Sequence, residues 1–330
     1  MNGFFRKVNV VIIVAIVFSM LLIVGTAYGS TTTAVASGEQ ITIGVSLPTL
    51  TMSWFVYVNQ AIISEAQKLG VKLIDLDPNN SISTQIDQVG AMISRHVNGI
   101  LLDPIDEQGS IPAVLEADKA GIPVALVDRT VNLPSSDYLL WCGAANEEGG
   151  RLQAAYLVDQ LWAKYGAPKG NVIEITGEPG SSPAVLRQKG FEEFLKYFPD
   201  IHIVAVESGQ FTEQGGLTAV EDLLASHRKD LQAIVFANDD SLLGGIRALQ
   251  AYGIDPSSLI LIGFDTLPQT LPLIEKGEVT ATIEQFPAIQ VKTALDDLVS
   301  YIRTGQLPPK EIPITPAIIS ATSIGAAEIK

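Results

Sequence analysis

Ten short apolar, β-branched runs alternate with helix-like stretches over residues 41–283, and this alternation restricts the chain to layered α/β architectures. The runs fall at 41–47, 71–76, 99–102, 123–127, 139–142, 171–175, 201–206, 233–236, 259–262 and 279–283. Their near-continuous hydrophobicity marks strands buried on both faces, as in parallel sheets. Helical stretches at 56–69, 147–164, 213–226 and 242–251 lie between them. Asn146 before Glu147 and Glu148, and Thr212 before Glu213, place a capping side chain and acids at helix starts. Gly70, Gly121, Gly253 and Gly277 stand where helices should end. The order predicts doubly wound, right-handed α/β units, about five strands before Gly143 and five after, in two sheets rather than one. A chain of 330 residues also exceeds one ordinary core, so two domains are expected. The segment 307–316, with Pro308, Pro309, Pro313 and Pro316, is predicted to run extended over the surface.

The first residues are a separate element. Arg6 and Lys7 precede an apolar run from Val8 to Val24, and small residues follow at Ala27 and Gly29. This is the order of a secretory signal, with cleavage predicted after Ala27-Tyr28-Gly29 and a small, polar leader over 30–40. The alternative is a retained membrane anchor, since the run approaches the roughly 17 residues needed to span a bilayer. The net charge is −15, and loss of residues 1–29 removes two bases and no acid, giving −17. Such a balance argues against nucleic acid as a partner. The single cysteine, Cys142, cannot form an internal disulfide and reads as a small buried hydrophobe.

Polar or aromatic clusters sit at the ends of the predicted strands: Trp54-Phe55, Asp103-Pro104, Asp128-Arg129, Asn238-Asp239, Phe264-Asp265 and Glu284-Gln285. In an open parallel sheet the carboxyl ends of the strands share one crevice, so these distant positions can converge. Carboxylates, carboxamides, a guanidinium and planar aromatics together suit a small polyhydroxylated molecule. The competing readings are plain ones. Asp-Pro and Asp-Arg pairs also form turns and surface ion pairs, and most aromatics are core. The segment 75–81 (DLDPNNS) spaces oxygens like a calcium loop, but Asn80 replaces the glycine and Ile86 the glutamate that such a loop requires. His96, His202 and His227 lack metal-ligand spacing, and no nucleophile-elbow, Walker or dinucleotide motif is present, so neither metal nor cofactor is expected.

In order along the chain stand LLDPID (101–106), VDRT (127–130), GAANEEGG (143–150), RQKGF (187–191), Phe211, FANDD (236–240), GFD (263–265) and TIEQFP (282–287). With Trp54-Phe55 this ordered set resembles the ribose-binding branch of the type I periplasmic solute-binding family, over roughly residues 40–320. The resemblance implies two α/β domains joined by three crossing segments, the first from 40–143 and 286–311, the second from 144–285 and 312–330. It implies sugar contacts at Trp54, Phe55, Asp103, Asp128, Arg129, Arg187, Phe211, Asn238, Asp265 and Gln285. Its ribose binders carry a small hydroxyl residue at Pro48 and asparagine at Met52 and Asp103, so a different pattern of hydroxyls is expected here. The function implied is that of an exported, monomeric receptor that closes on a monosaccharide or polyol and delivers it to an ABC permease, without chemistry. Two readings stay open beside it: a sugar or autoinducer receptor for a chemoreceptor or sensor kinase, and a glycosidase, which would use two of the carboxylates.

Overall fold

The structure, a computed structural model, describes residues 40–329. The expected export signal and all of the leader except Gln40 lie outside the described residues. Among the described residues no helix is long and apolar enough to cross a membrane.

Strands β1 (Thr42–Ser46), β2 (Lys72–Leu76), β3 (Gly99–Leu102), β4 (Val124–Val127) and β5 (Leu140–Ala144) build a first sheet with β11 (Glu311–Ile314), in the order β11-β5-β4-β3-β1-β2. Every pairing in it is parallel. Strands β6 (Gly170–Thr176), β7 (Ile201–Ser208), β8 (Leu231–Phe236) and β9 (Ile260–Ile262) form a second parallel sheet in the order β7-β6-β8-β9. The remaining strands, β10 (Thr282–Glu284) and β12 (Ala317–Ile319), pair antiparallel. In both large sheets the strand order reverses beside the first strand, at β1/β3 and at β6/β8. A crevice opens at the carboxyl ends of strands on either side of such a switch point.

Helices cover both faces of each sheet. On the first, α1 (Ser53–Leu69) and α9 (Pro287–Thr304) bury Phe55, Val58, Ile62, Leu295 and Leu298 against β1 and β5. The other face carries α2 (Ile82–Ser94) and α3 (Ile111–Lys119), through Val89, Met92, Val114 and Ala117. On the second sheet, α4 (Asn146–Tyr165) and α5 (Ser182–Leu195) share one core with β6 and β8. The opposite face is covered by α6 (Glu213–His227) and α7 (Asp239–Ala251), while a short helix, α8 (Leu271–Glu275), follows β9. The α4–α5 pair is backbone against backbone: a Cβ on Gly150 would collide with the Arg187 carbonyl, and one on Gly190 with the Glu147 carbonyl. Small residues are required at that crossing, and it sets the position of α5.

The expected strands all form, and β3 has the bounds read from the sequence. Three differences have physical causes. The proline-rich tail is extended but also paired, because Pro313 lies in a strand that adds to the sheet edge next to β5, where a missing N–H is tolerated. Since β5 runs to Ala144 and β11 to Ile314, the domain boundaries read at 143 and 311 fall inside strands of the first sheet. Asn146 is not the cap of α4, a position held by Ala145 with no side-chain bond, because its amide oxygen is engaged by Arg187 instead. Thr212 does cap α6, accepting from the Gly215 amide.

Candidate functional site

Nine of the ten predicted contacts, Asp103 excepted, line one cavity of about 310 Å³, part of it open to solvent, between the carboxyl ends of the two sheets. Trp54 and Phe55 arrive on the first turn of α1, which begins at Ser53, three residues earlier than the periodicity indicated. Asp128 and Arg129 follow β4. Across the cavity stand Arg187 from α5, Phe211 from the turn before α6, Asn238 as the cap of α7, Asp265 after β9, and Gln285 just beyond β10.

Three of these residues, Asp128 (φ 58°), Phe211 (φ 56°) and Asp265 (φ 104°), occupy the left-handed region. For a phenylalanine this is a genuine outlier, and such strain of about 1–3 kcal/mol is kept where the surroundings over-determine it. Here the Asp128 amide donates to the Cys142 carbonyl, Asp265 N to Ile283 O, and the Phe211 carbonyl accepts from Asn238 Nδ2 at 3.1 Å.

Arg187 is the most constrained side chain of the site, at 4 % exposure. Its Nε donates to Asn146 Oδ1 at 2.7 Å, Nη1 to the Ala237 carbonyl at 2.7 Å, and Nη2 to Gln285 Oε1 at 3.1 Å. It lies 3.5 Å from Asp265 and stacks on Phe264 at 3.6 Å from the ring centroid. Gln285 in turn donates to Asp265 at 2.6 Å. Glu284, whose carboxylate accepts from the amides of Gln285, Phe286 and Glu328, fixes the backbone that presents Gln285.

On the facing wall Arg129, also buried, donates to the Ile105 carbonyl at 2.9 Å and to Glu178 at 3.3 Å, and its guanidinium lies over both Phe55 and Phe211. Asp103 sits behind it, 3.9 Å from Nε and fully buried, rather than on the cavity wall. Burial, with repulsion from Asp128, pushes the Asp103 carboxyl well above the usual range, and Arg129 only partly offsets this. Burial likewise raises Asp128 and Asp265, against the pull of Arg129 and Arg187 respectively. Trp54 also favours the Asp128 anion, although its indole N–H stands short of a well-formed hydrogen bond. Carboxylate oxygens and an indole N–H without protein partners, set beside two arginines, can exchange hydrogen bonds with a ligand's hydroxyls, and the aromatic faces can cover its C–H surface. Among the described residues no group of three or more His, Cys, Asp or Glu is arranged to hold a metal ion.

The two walls also touch each other directly. Ser53 Oγ donates to Asp240 at 2.8 Å, Asn80 Nδ2 to Glu178 at 2.6 Å, the Thr130 amide to Ser182 Oγ at 3.0 Å, and the Glu107 amide to the Gly180 carbonyl at 3.0 Å. Met52, Pro183 and Asp240 line the cavity too, and Glu178, Asn146 and Phe264 hold its arginines, yet none of the six was expected as a contact. Of these, Asp240 and Phe264 had a signal, as the second acid of FANDD and the aromatic of GFD at strand ends, and Met52 as the place where the ribose binders carry asparagine.

Two doubly wound lobes with a polar, aromatic cavity between their strand ends define a solute-binding fold. The chain matches the periplasmic binding protein domain family over residues 43–307 and belongs to that family. It is 32% identical over 258 residues to the ribose import binding protein of Bacillus subtilis, an alignment spanning 78% of this chain and 80% of that protein. Over 293 residues it is 30% identical to the galactofuranose-binding protein of Escherichia coli, spanning 88% and 91% respectively. Its structure superposes on that of a Caulobacter myo-inositol binding protein bound to myo-inositol with a TM-score of 0.83 at 31% identity, covering 89% of this chain and 98% of that one.

Proposed function

We propose that this protein is an extracytoplasmic receptor that captures a monosaccharide or closely related polyol between two lobes and hands it to an ABC permease. The lobes are residues 40–144 with 287–314, and 146–284 with 317–329, with Gln285 on one of three crossings. The observation that carries the reading is the cavity wall itself. Buried carboxylates with raised pKa face two aromatic-stacked arginines from opposite sheets. Asp128 and Arg129 hold the ligand on the first lobe; Arg187, Phe211, Asn238 and Asp265 engage it from the second. A ligand that satisfies both sets favours the closed arrangement, because only there are all its hydroxyls paired. Asp103 acts through Arg129, keeping its guanidinium turned to the cavity.

Relatives named for ribose and galactofuranose support the ligand class, and the periplasmic family supports an exported location; removal of residues 1–29 rests on their signal-like order. The ligand leaves unchanged, a reading supported by relatives that are named as binding proteins. A thermal-shift screen of residues 30–330 against pentoses, hexoses, hexofuranoses and polyols tests the proposal. A specific ligand at a hundredfold over its dissociation constant should stabilise the protein by about 2.7 kcal/mol. A chain that responds to no sugar or polyol, or that converts its ligand to a new product, would sink it.

A further inference from the structure

Asp240 stands in the first turn of α7, two residues past the capping Asn238, and lines the cavity at 7 % exposure. One carboxylate oxygen, Oδ1, accepts from Ser53 Oγ at 2.8 Å across the cleft, which fixes the side chain's rotation. The other, Oδ2, is buried and has no hydrogen-bond partner among the described residues. No ion pair involving Asp240 is formed there either, and its carboxyl is pushed above the usual range by burial, with Glu213 adding repulsion. Ser53 also turns its backbone N–H towards this carboxyl, but no donor on the neighbouring wall completes a hydrogen bond to Oδ2. Met52 is apolar, Asn238 spends its amide on Phe211 O and its oxygen on Ser241 N, and Gln285 donates to Asp265.

A buried acceptor facing a cavity and lacking a protein donor is suited to a ligand O–H. Besides Asp240, six hydrogen-bonding side chains other than Trp54 line the cavity: Asp128, Arg129, Arg187, Asn238, Asp265 and Gln285. Asn238 and Gln285 already serve protein partners, so Asp128, Asp265 and the two arginines are the groups that meet the ring hydroxyls of a pentopyranose, and Asp240 is an acceptor beyond them. A ligand with no hydroxyl to spare leaves that acceptor desolvated and unpaired; one with an additional hydroxyl satisfies it.

We propose that Asp240 is a specificity-determining ligand contact, whose Oδ2 accepts a hydrogen bond from a sugar hydroxyl and so favours a hexose over the pentose that shares its ring. The inference rests on the sugar-binding reading above. Sugar pairs that differ only by one hydroxymethyl group isolate it: D-ribose and D-allose, D-xylose and D-glucose, L-arabinose and D-galactose. Calorimetric titration of all six is made with the wild type, Asp240→Ala and Asp240→Asn, the latter keeping the side chain's shape while offering N–H where an acceptor stood.

In the pair the protein recognises, the wild type should prefer the hexose by about tenfold or more, and both variants should shrink that ratio to about threefold or less. Ligand-free melting of each variant confirms that it is folded before its ratio is read. A ratio that survives both substitutions, or a wild type that prefers the pentose, overturns the role of Asp240 while leaving sugar binding in place. A wild type that binds none of the six and no other sugar or polyol removes the underlying reading and this inference with it.

Discussion

Arg187→Lys isolates the network that holds the second lobe's side of the site. The guanidinium makes three hydrogen bonds, to Asn146, the Ala237 carbonyl and Gln285, beside a 3.5 Å approach to Asp265 and a stack on Phe264. An ammonium can keep the charge next to Asp265 and at most one of the three bonds, so two are lost. At about 1.5–3 kcal/mol for each hydrogen bond to a charged group, the loss is roughly 3–6 kcal/mol before relaxation. The partners Asn146, Gln285 and Asp265 remain buried, at 2 %, 1 % and 2 % exposure. Breaking a buried pair from one side has a comparable cost of about 3–5 kcal/mol. With about 2–4 °C per kcal/mol for domains of this size, a fall of roughly 10 °C in Tm is expected. Sugar affinity should drop by about ten- to a hundredfold at the same time, since the planar fork that faces the cavity is gone. Differential scanning calorimetry and isothermal titration check the two quantities independently. If Tm stays within about 2 °C of the wild type, the network is not structural and the cost assigned to leaving its partners unpaired is wrong.

Asp128→Asn, which tolerates the left-handed backbone that alanine would strain, should lose sugar binding by at least about tenfold at near-normal stability; retained affinity would move the first lobe's contact elsewhere. Gly190→Ala should push α5 off α4, lowering stability by about 1–3 kcal/mol and weakening binding through displaced Arg187, as urea melts and titration would show. Cys142, fully buried with its thiol pushed up to about 12, should resist alkylation at pH 8 until the protein unfolds; rapid labelling of the native state would contradict its burial. Glu174, 5 % exposed with its carboxyl pushed up to about 8 by burial, keeps a proton that the unfolded chain gives up near 4.5, so its contribution to stability is full below pH 4.5 and is lost as pH rises through 8. Glu174→Gln should therefore gain Tm over the wild type at pH 8 and not at pH 4.5; an equal difference at both would refute the assignment.

The strand and helix pattern was legible because a parallel strand buried on both faces writes an uninterrupted apolar run, as in 99–102 and 124–127. What escaped was set by tertiary pairing. The strand through Pro313 is four residues long and interrupted by a proline, and it exists because β5 offers an edge. Asn146 carries the composition of a helix cap, and only the arrival of Arg187 forty-one positions away redirects its side chain. The candidate site was legible where an aspartate or aromatic sits directly at a strand end. It was not where the contribution comes from a helix start facing across the cleft, as with Pro183, since no local pattern records which helix start faces which. Asp103 shows the converse: strand-end position and charge mark it, yet one layer of depth puts it behind Arg129.

The bonds between the walls explain how a ligand could govern closure in the proposed receptor. They are few and polar: Ser53 to Asp240, Asn80 and Arg129 to Glu178, and two backbone contacts around Gly180 and Ser182. Each replaces a bond to water, so each contributes only about 0.5–1.5 kcal/mol, somewhat more where charge is involved. Against them stands the burial of carboxylates at Asp128, Asp240 and Asp265, all raised by desolvation and all bearing an oxygen that is unpartnered or shared. Closing the walls without a ligand thus gains little and desolvates much, which favours the open state. A ligand that supplies hydroxyl donors to those oxygens removes the penalty only in the closed state. A shift from 1:99 to 99:1 needs about 5.5 kcal/mol of differential affinity, which three or four charge-assisted hydrogen bonds can provide. The same acids that make the closed cavity unfavourable on its own are what make closure depend on the sugar.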